Sequence, residues 1–150
     1  MTHRIRLVLL ALTLAATTAI GVARAFASPA RSQRVGERAA KYARRLLGVR
    51  YRYGGDSPRT GFDCSGLVRF VYGRVGIQLP HSSYAQFRLG RRVPRGGLRP
   101  GDLVFFDGLG HVGLYIGRGR FIHAPHTGTR VSIDTIAHHG RYDGARRLLA

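Results

Sequence analysis

An α+β fold, helices first and an antiparallel sheet after them, is predicted by three features of the sequence. Apolar residues recur at helical spacing only in the first half of the chain. Beyond residue 100 the pattern changes to short apolar runs with strand-like alternation, and turn residues separate those runs at hairpin distances. Helices that precede strands in this way are expected to pack on the face of the sheet.

The elements follow in order. Residues 32–47 read as an amphipathic helix, because Val35, Ala39, Tyr42 and Leu46 recur at intervals of three and four, with Gly48 placed for the C-terminal cap. "YRYGGDSPRTG" (51–61) reads as a loop from its Gly, Pro, Asp and Ser content. Asp63 suits an N-cap for a helix from Cys64 to about Tyr72, with Leu67, Val68 and Val71 on one face. Ser82 or Ser83 starts a short helix reaching about Leu89. Strands are predicted at "DLVFF" (102–106), "HVGLYIG" (111–117), "RFIHA" (120–124), "RVSI" (130–133) and "ARRLL" (145–149).

Residues 1–27 stand apart. Arg4 and Arg6 precede an apolar stretch from Leu7 to Ile20, and small residues cluster in "VARAFASPA". That order is the layout of a secretory signal peptide, with cleavage expected after Ala27 or, as second choice, Ala25. An uncleaved membrane anchor is the alternative, although the apolar run is short for a span. The expectation is an exported protein of the periplasm, cell envelope or extracellular space, with no integral span after processing. Residues 28–150 then form one domain, large enough for a core of its own.

Charge and cysteine content narrow the function classes. Three of the 25 basic residues (Arg4, Arg6, Arg24) precede residue 28 and all seven acids follow it, leaving the domain near +15, almost all of it arginine. Such a surface attracts polyanions, and for an exported chain the anionic envelope is the expected partner; a simply solvated arginine-rich surface fits equally well. The arginines are scattered and carry no DNA- or RNA-binding signature, so no nucleic-acid partner is expected. A single cysteine in an exported chain excludes an intramolecular disulfide framework and leaves intermolecular pairing or a free thiol.

That cysteine, Cys64, lies at the predicted first turn of a helix, where the macrodipole and unpaired N–H groups favour thiolate. Membership of the buried stripe with Leu67, Val68 and Val71 is the inert alternative. A nucleophile also needs a base. If Gly117-Arg118-Gly119 is a three-residue hairpin loop with Gly119 at positive φ, Leu114 faces Ile122, Val112 faces Ala124 and Ile116 faces Arg120. His111, Gly113, Tyr115, Phe121 and His123 then share the other face. His123 opposes Gly113, whose missing side chain leaves room, and His111 is its diagonal neighbour. Two histidines and a cysteine suit either a metal or a thiol–imidazole pair. No CxxC or HxxxH spacing supports a metal, and the adjacent His138-His139 read as solvated surface, so no metal or other cofactor is expected. A thiol–imidazole pair with a second histidine orienting the first is the remaining chemistry.

"YRYGG", "FDCSGLV", "LPHSSYAQ", "LRPGDLVFF" and "HVGLYIGRGRFIHA" occur in that order, and together they resemble the NlpC-type family of cell-wall cysteine peptidases across roughly residues 34–149. The C-terminal "RYDGARRLL" resembles the end of the spr-type murein endopeptidases of Gram-negative envelopes. The resemblance implies a compact papain-like α+β fold and hydrolysis of amide bonds in peptidoglycan stem peptides. It implies Cys64 as nucleophile, His111 as general base and His123 as the orienting residue, with Tyr51 near the oxyanion. Asp63 and Ser65 flank the nucleophile and are implied substrate contacts, for Asp63 beside an equally good role as N-cap. His81 is an implied cleft residue. The spr-type likeness favours the D-Ala–meso-diaminopimelate cross-link, the broader family the γ-D-Glu–diaminopimelate bond. The alternatives are an idle basic wall-binding module, against which the intact Cys64, His111 and His123 argue, and a related thiol amidase or acyltransferase.

Overall fold

The structure, a computed structural model, describes residues 28–148. The expected signal peptide lies outside the described residues. Among the described residues, no helix is long and apolar enough to cross a membrane.

Helix α1 (Pro29–Arg44) starts and ends three residues earlier than predicted. Pro29, which needs no backbone N–H, opens the first turn, and the chain leaves through a turn to Gly48 at φ 86°. Its buried side is built from Ser32, Gly36, Ala39, Ala40 and Ala43, small residues that let the helix lie close to its neighbours. The stretch read wholly as loop contains a two-residue hairpin, β1 (Asp56–Ser57) and β2 (Gly61–Phe62). Helix α2 (Cys64–Gly73) begins where predicted, capped by Asp63. Helix α3 (Ser83–Gln86), capped by Ser82, is shorter than predicted.

Six antiparallel strands follow in one sheet: β3 (Arg91–Arg92), β4 (Leu103–Phe106), β5 (His111–Gly117), β6 (Arg120–His123), β7 (Ser132–Thr135) and β8 (Tyr142–Arg147), in spatial order β3-β8-β4-β5-β6-β7. Alternation sorts the core into two layers. Leu103, Phe105, Val112, Leu114, Ile116 and Ile122 pack with residues of α1 and α2. Val104, Phe106, Tyr115, Phe121 and Ala145 form a second cluster with Ile136.

The β5–β6 hairpin keeps the predicted pairing at Leu114–Ile122 and Tyr115–Phe121 but reaches it differently. The loop is a two-residue turn with Arg118 at φ 55° and Gly119 at φ 69°, so Gly117 rather than Ile116 faces Arg120. Positive φ at both positions matches the twist of the flanking strands. A bulge between Tyr115 and Gly117 absorbs the extra residue, which is why His111 and His123 still share a face. The reason for Gly113 also differs: the space a Cβ would fill there is taken by the Phe121 ring, not by His123.

Candidate active site

Asp63 organises the entrance to α2. Its Oδ1 accepts the Gly66 N–H at 2.7 Å, lies 2.7 Å from His81 Nε2 and 3.4 Å from the Ser65 hydroxyl; its Oδ2 accepts the Gly54 N–H at 2.9 Å. One carboxylate thus joins the helix start, the Gly54-Gly55 loop and the segment carrying His81. The glycines make the approach possible: a Cβ at Gly66 would fall on the Gly55 carbonyl oxygen.

Cys64 occupies the first position of α2 and is only partly buried. Its sulfur is met by the backbone N–H of Val112 on β5 and by the amides of Ser65 and Cys64 itself. The neighbour of Val112 is His111, whose Nε2 lies 2.9 Å from His123 Nδ1, the rings nearly perpendicular at 80°. His123 is buried beneath it, 3% exposed. The predicted diagonal pair is therefore formed, and the thiol reaches the strand one residue away.

The electrostatics depart from the helix-terminus argument. Burial pushes the Cys64 thiol above its ordinary value and outweighs the three N–H groups; the Asp63 charge acts in the same direction as burial. Burial, then His139, lowers His111 to about 4, and burial, then His111 and His139, lowers His123 to about 3. Both shifts favour neutral thiol beside neutral imidazole over thiolate beside imidazolium. Alkylation of Cys64 by iodoacetamide should accordingly still accelerate above about pH 8.5, the ordinary thiol value. A rate already at its plateau by neutral pH would contradict the neutral pair.

Cys64, Tyr51, Asp63, Ser65 and His81 line one open cleft of about 440 Å³, and Gly110, the residue before His111, forms part of its wall. Burial, reinforced by the Cys64 and Asp63 charges, raises the Tyr51 phenol, which stays protonated and able to donate. The Ser65 side chain is buried and turned to Asp63. Two residues that the sequence reading passed over, Tyr53 and Tyr84, also line the cleft and stand 87% and 57% exposed. Their signal was an aromatic side chain inside each of two quoted strings. Gln86 is a third omission: fully buried, it donates to the Ser65 and Pro80 carbonyls and ties the first turn of α2 to the His81 segment.

His139 corrects the surface reading. His138 is exposed, but the His139 ring packs against His111, His123, Phe106 and Phe121 with centroids 4.8–5.2 Å apart. Its Nδ1 lies 2.8 Å from Asp134 Oδ2. Burial alone would raise the Asp134 carboxyl; hydrogen bonds from His139 and the Thr135 N–H outweigh it and hold the group below its ordinary value.

Residues 48–147, which carry the thiol, the histidine pair and the sheet, match the family model described as the NlpC/P60 family. The chain belongs to the NlpC/P60 family. Murein DD-endopeptidase MepH of Escherichia coli K12 is 43% identical over 114 residues, an alignment covering 69% of this chain and 42% of MepH. Gamma-DL-glutamyl hydrolase of Bacillus subtilis 168 is 43% identical over 114 residues, covering 71% of this chain and 27% of that protein. The chain thus spans less than half the length of either relative. Among solved structures, an NlpC/P60 family protein from Bacillus cereus superposes with a TM-score of 0.72 at 37% identity, covering 77% of this chain and 40% of that one. The peptidoglycan hydrolase RipB of Mycobacterium tuberculosis superposes at 0.71 with 31% identity, covering 81% and 68%. The compact α+β arrangement expected from the sequence is that of the NlpC/P60 domain.

Proposed function

We propose that the chain is an exported cysteine peptidase that hydrolyses amide bonds in peptidoglycan stem peptides. The observation that carries this reading is the His111–His123 pair, 2.9 Å apart at the head of β5, on the strand against which α2 and its first residue Cys64 pack. His123 accepts the hydrogen of His111 Nε2, which leaves the lone pair of Nδ1 as the base. As the sulfur attacks the amide carbonyl carbon, a C–S bond forms and the thiol proton passes to His111. The carbonyl oxygen, now an oxyanion, is held by the Tyr51 hydroxyl and the Cys64 N–H. The C–N bond then breaks, His111 giving its proton to the leaving amine. Water attacks the thioester carbon as His111 takes one of its protons; the C–S bond then breaks, the sulfur receives that proton from His111, and the acid departs.

The substrate class is supported by the relatives named as a murein DD-endopeptidase and, for RipA of M. tuberculosis, a peptidoglycan endopeptidase. The two bonds considered above, the D-Ala–diaminopimelate cross-link and the γ-D-Glu–diaminopimelate bond, are the candidates. Tyr53, Tyr84 and His81 form the walls against which a stem peptide would lie, with Asp63 and Ser65 shaping the floor. The arginine surface would draw the anionic envelope by long-range attraction that weakens with salt.

The test is digestion of purified sacculi by the protein and by its Cys64→Ala variant, with products identified by mass spectrometry. New peptide ends released only by the thiol-containing protein are expected, and their masses name the bond. Equal or absent release from both proteins would leave the idle wall-binding module as the better reading.

A further inference from the structure

We propose that His111, His123 and His139 form a binding site for a divalent transition metal of the zinc class, and that its occupation switches the thiol site off. Among the described residues, one ring nitrogen from each of the three lies within 4.8 Å of the others. Zinc–imidazole bonds of about 2.0–2.1 Å in tetrahedral geometry place ligand nitrogens about 3.3 Å apart. The His111–His123 pair, at 2.9 Å, is already near that separation, and small ring movements bring in His139.

A second, independent feature points the same way. A metal-binding imidazole is normally held by a carboxylate on its other nitrogen, which fixes the tautomer and aims the remaining lone pair. His139 has that arrangement: Nδ1 is bonded to Asp134 Oδ2 at 2.8 Å, which leaves Nε2 for the metal. The stacked rings of Phe106 and Phe121 pack against His139 and hold it in place. The His139 side chain is 19% exposed, which provides an entry path, and three protein ligands leave a fourth position for water. No local ligand spacing announces this site, because its members come from β5, β6 and the turn after β7.

The inhibitory consequence follows from the ring's hydrogen, and this half rests on the peptidase reading. His111 bound to a metal through Nε2 carries its hydrogen on Nδ1. The lone pair that accepts the thiol proton is then gone, and His123 is drawn away from its orienting role.

Titration of the full chain with Co²⁺, followed by visible ligand-field absorption, tests the site without any need for activity. Bands of four-coordinate cobalt are expected in the unmodified protein and in Cys64→Ala, and no bands in His139→Gln. Asp134→Asn should weaken binding by about 10- to 100-fold. Bands that persist in His139→Gln, that disappear in Cys64→Ala, or that never form would overturn the site; loss in Cys64→Ala would indicate a thiolate–imidazole metal pair instead. For the switch, activity with and without Zn²⁺ is compared within each protein. Zn²⁺ concentrations that saturate the site should suppress sacculus digestion by the unmodified protein, reversibly with EDTA, and suppress His139→Gln far less. Full activity of the zinc-loaded protein would overturn the switch while leaving the site intact.

Discussion

Replacing Arg147 by methionine should lower the stability of the fold by about 3–5 kcal/mol, the usual cost of removing one partner from a buried ion pair. Asp102 is 1% exposed, and its two oxygens accept from Arg147 Nε and Nη2, each at 2.7 Å. Arg147 also donates to the Gly97 carbonyl at 2.9 Å, and Asp102 accepts the Arg99 N–H at 2.8 Å. The pair therefore clamps β8 to the turn that starts β4, where Tyr72 of α2 also donates to the Gly101 carbonyl. Methionine retains most of the packing volume and leaves a carboxylate in the interior with one N–H for company. Thermal unfolding should show the midpoint falling by at least about 10 °C. Adding Asp102→Asn to Arg147→Met should recover part of the loss, because the stranded charge is then gone. A fall of under about 1 kcal/mol for Arg147→Met would mean that the pair contributes no more than a surface bridge.

Asp63→Ala should affect both stability and chemistry. Loss of an N-cap alone costs about 0.5–2 kcal/mol, and this carboxylate also holds His81 and the Gly54 amide. Removing it frees the first turn of α2 to shift relative to β5, and displacement of a reacting group by about 1 Å is enough to cost about 100-fold in rate. A loss of at least that size in sacculus digestion is expected, together with a lower unfolding midpoint. His81→Gln separates the parts, since it leaves the cap and the loop anchor in place and should retain most of the stability. Full activity in Asp63→Ala would show that the helix start is positioned by packing alone.

Local patterns carried much of this structure into plain view. The Asp63 cap, the start of α2 and the full extent of β5 were legible because each depends on neighbours within a few residues: a short acceptor before a helix, and alternation with period two. The shared face of His111 and His123 was legible for the same reason. The route to it was not, since a three-residue loop and a two-residue turn with a bulge give the same side-chain parity, and the sequence contains nothing that distinguishes them. The hairpin β1–β2 was hidden in a glycine-rich loop whose composition signals turns but not pairing.

What the sequence determined by itself was the inventory and its local geometry: one thiol at a helix start, two histidines on one face of a hairpin, and the strings that place the chain in the NlpC/P60 family. The tertiary structure decided the rest, because it depends on what lies opposite across space. Packing of α2 against β5 partly buries Cys64, and that burial outweighs the N–H groups at the helix start and raises the thiol. Pairing of β6 with β7 brought Asp134 beside Phe121, and the turn beyond it folded His139 onto the histidine pair. No spacing along the chain encodes that contact; it exists only once three strands lie side by side.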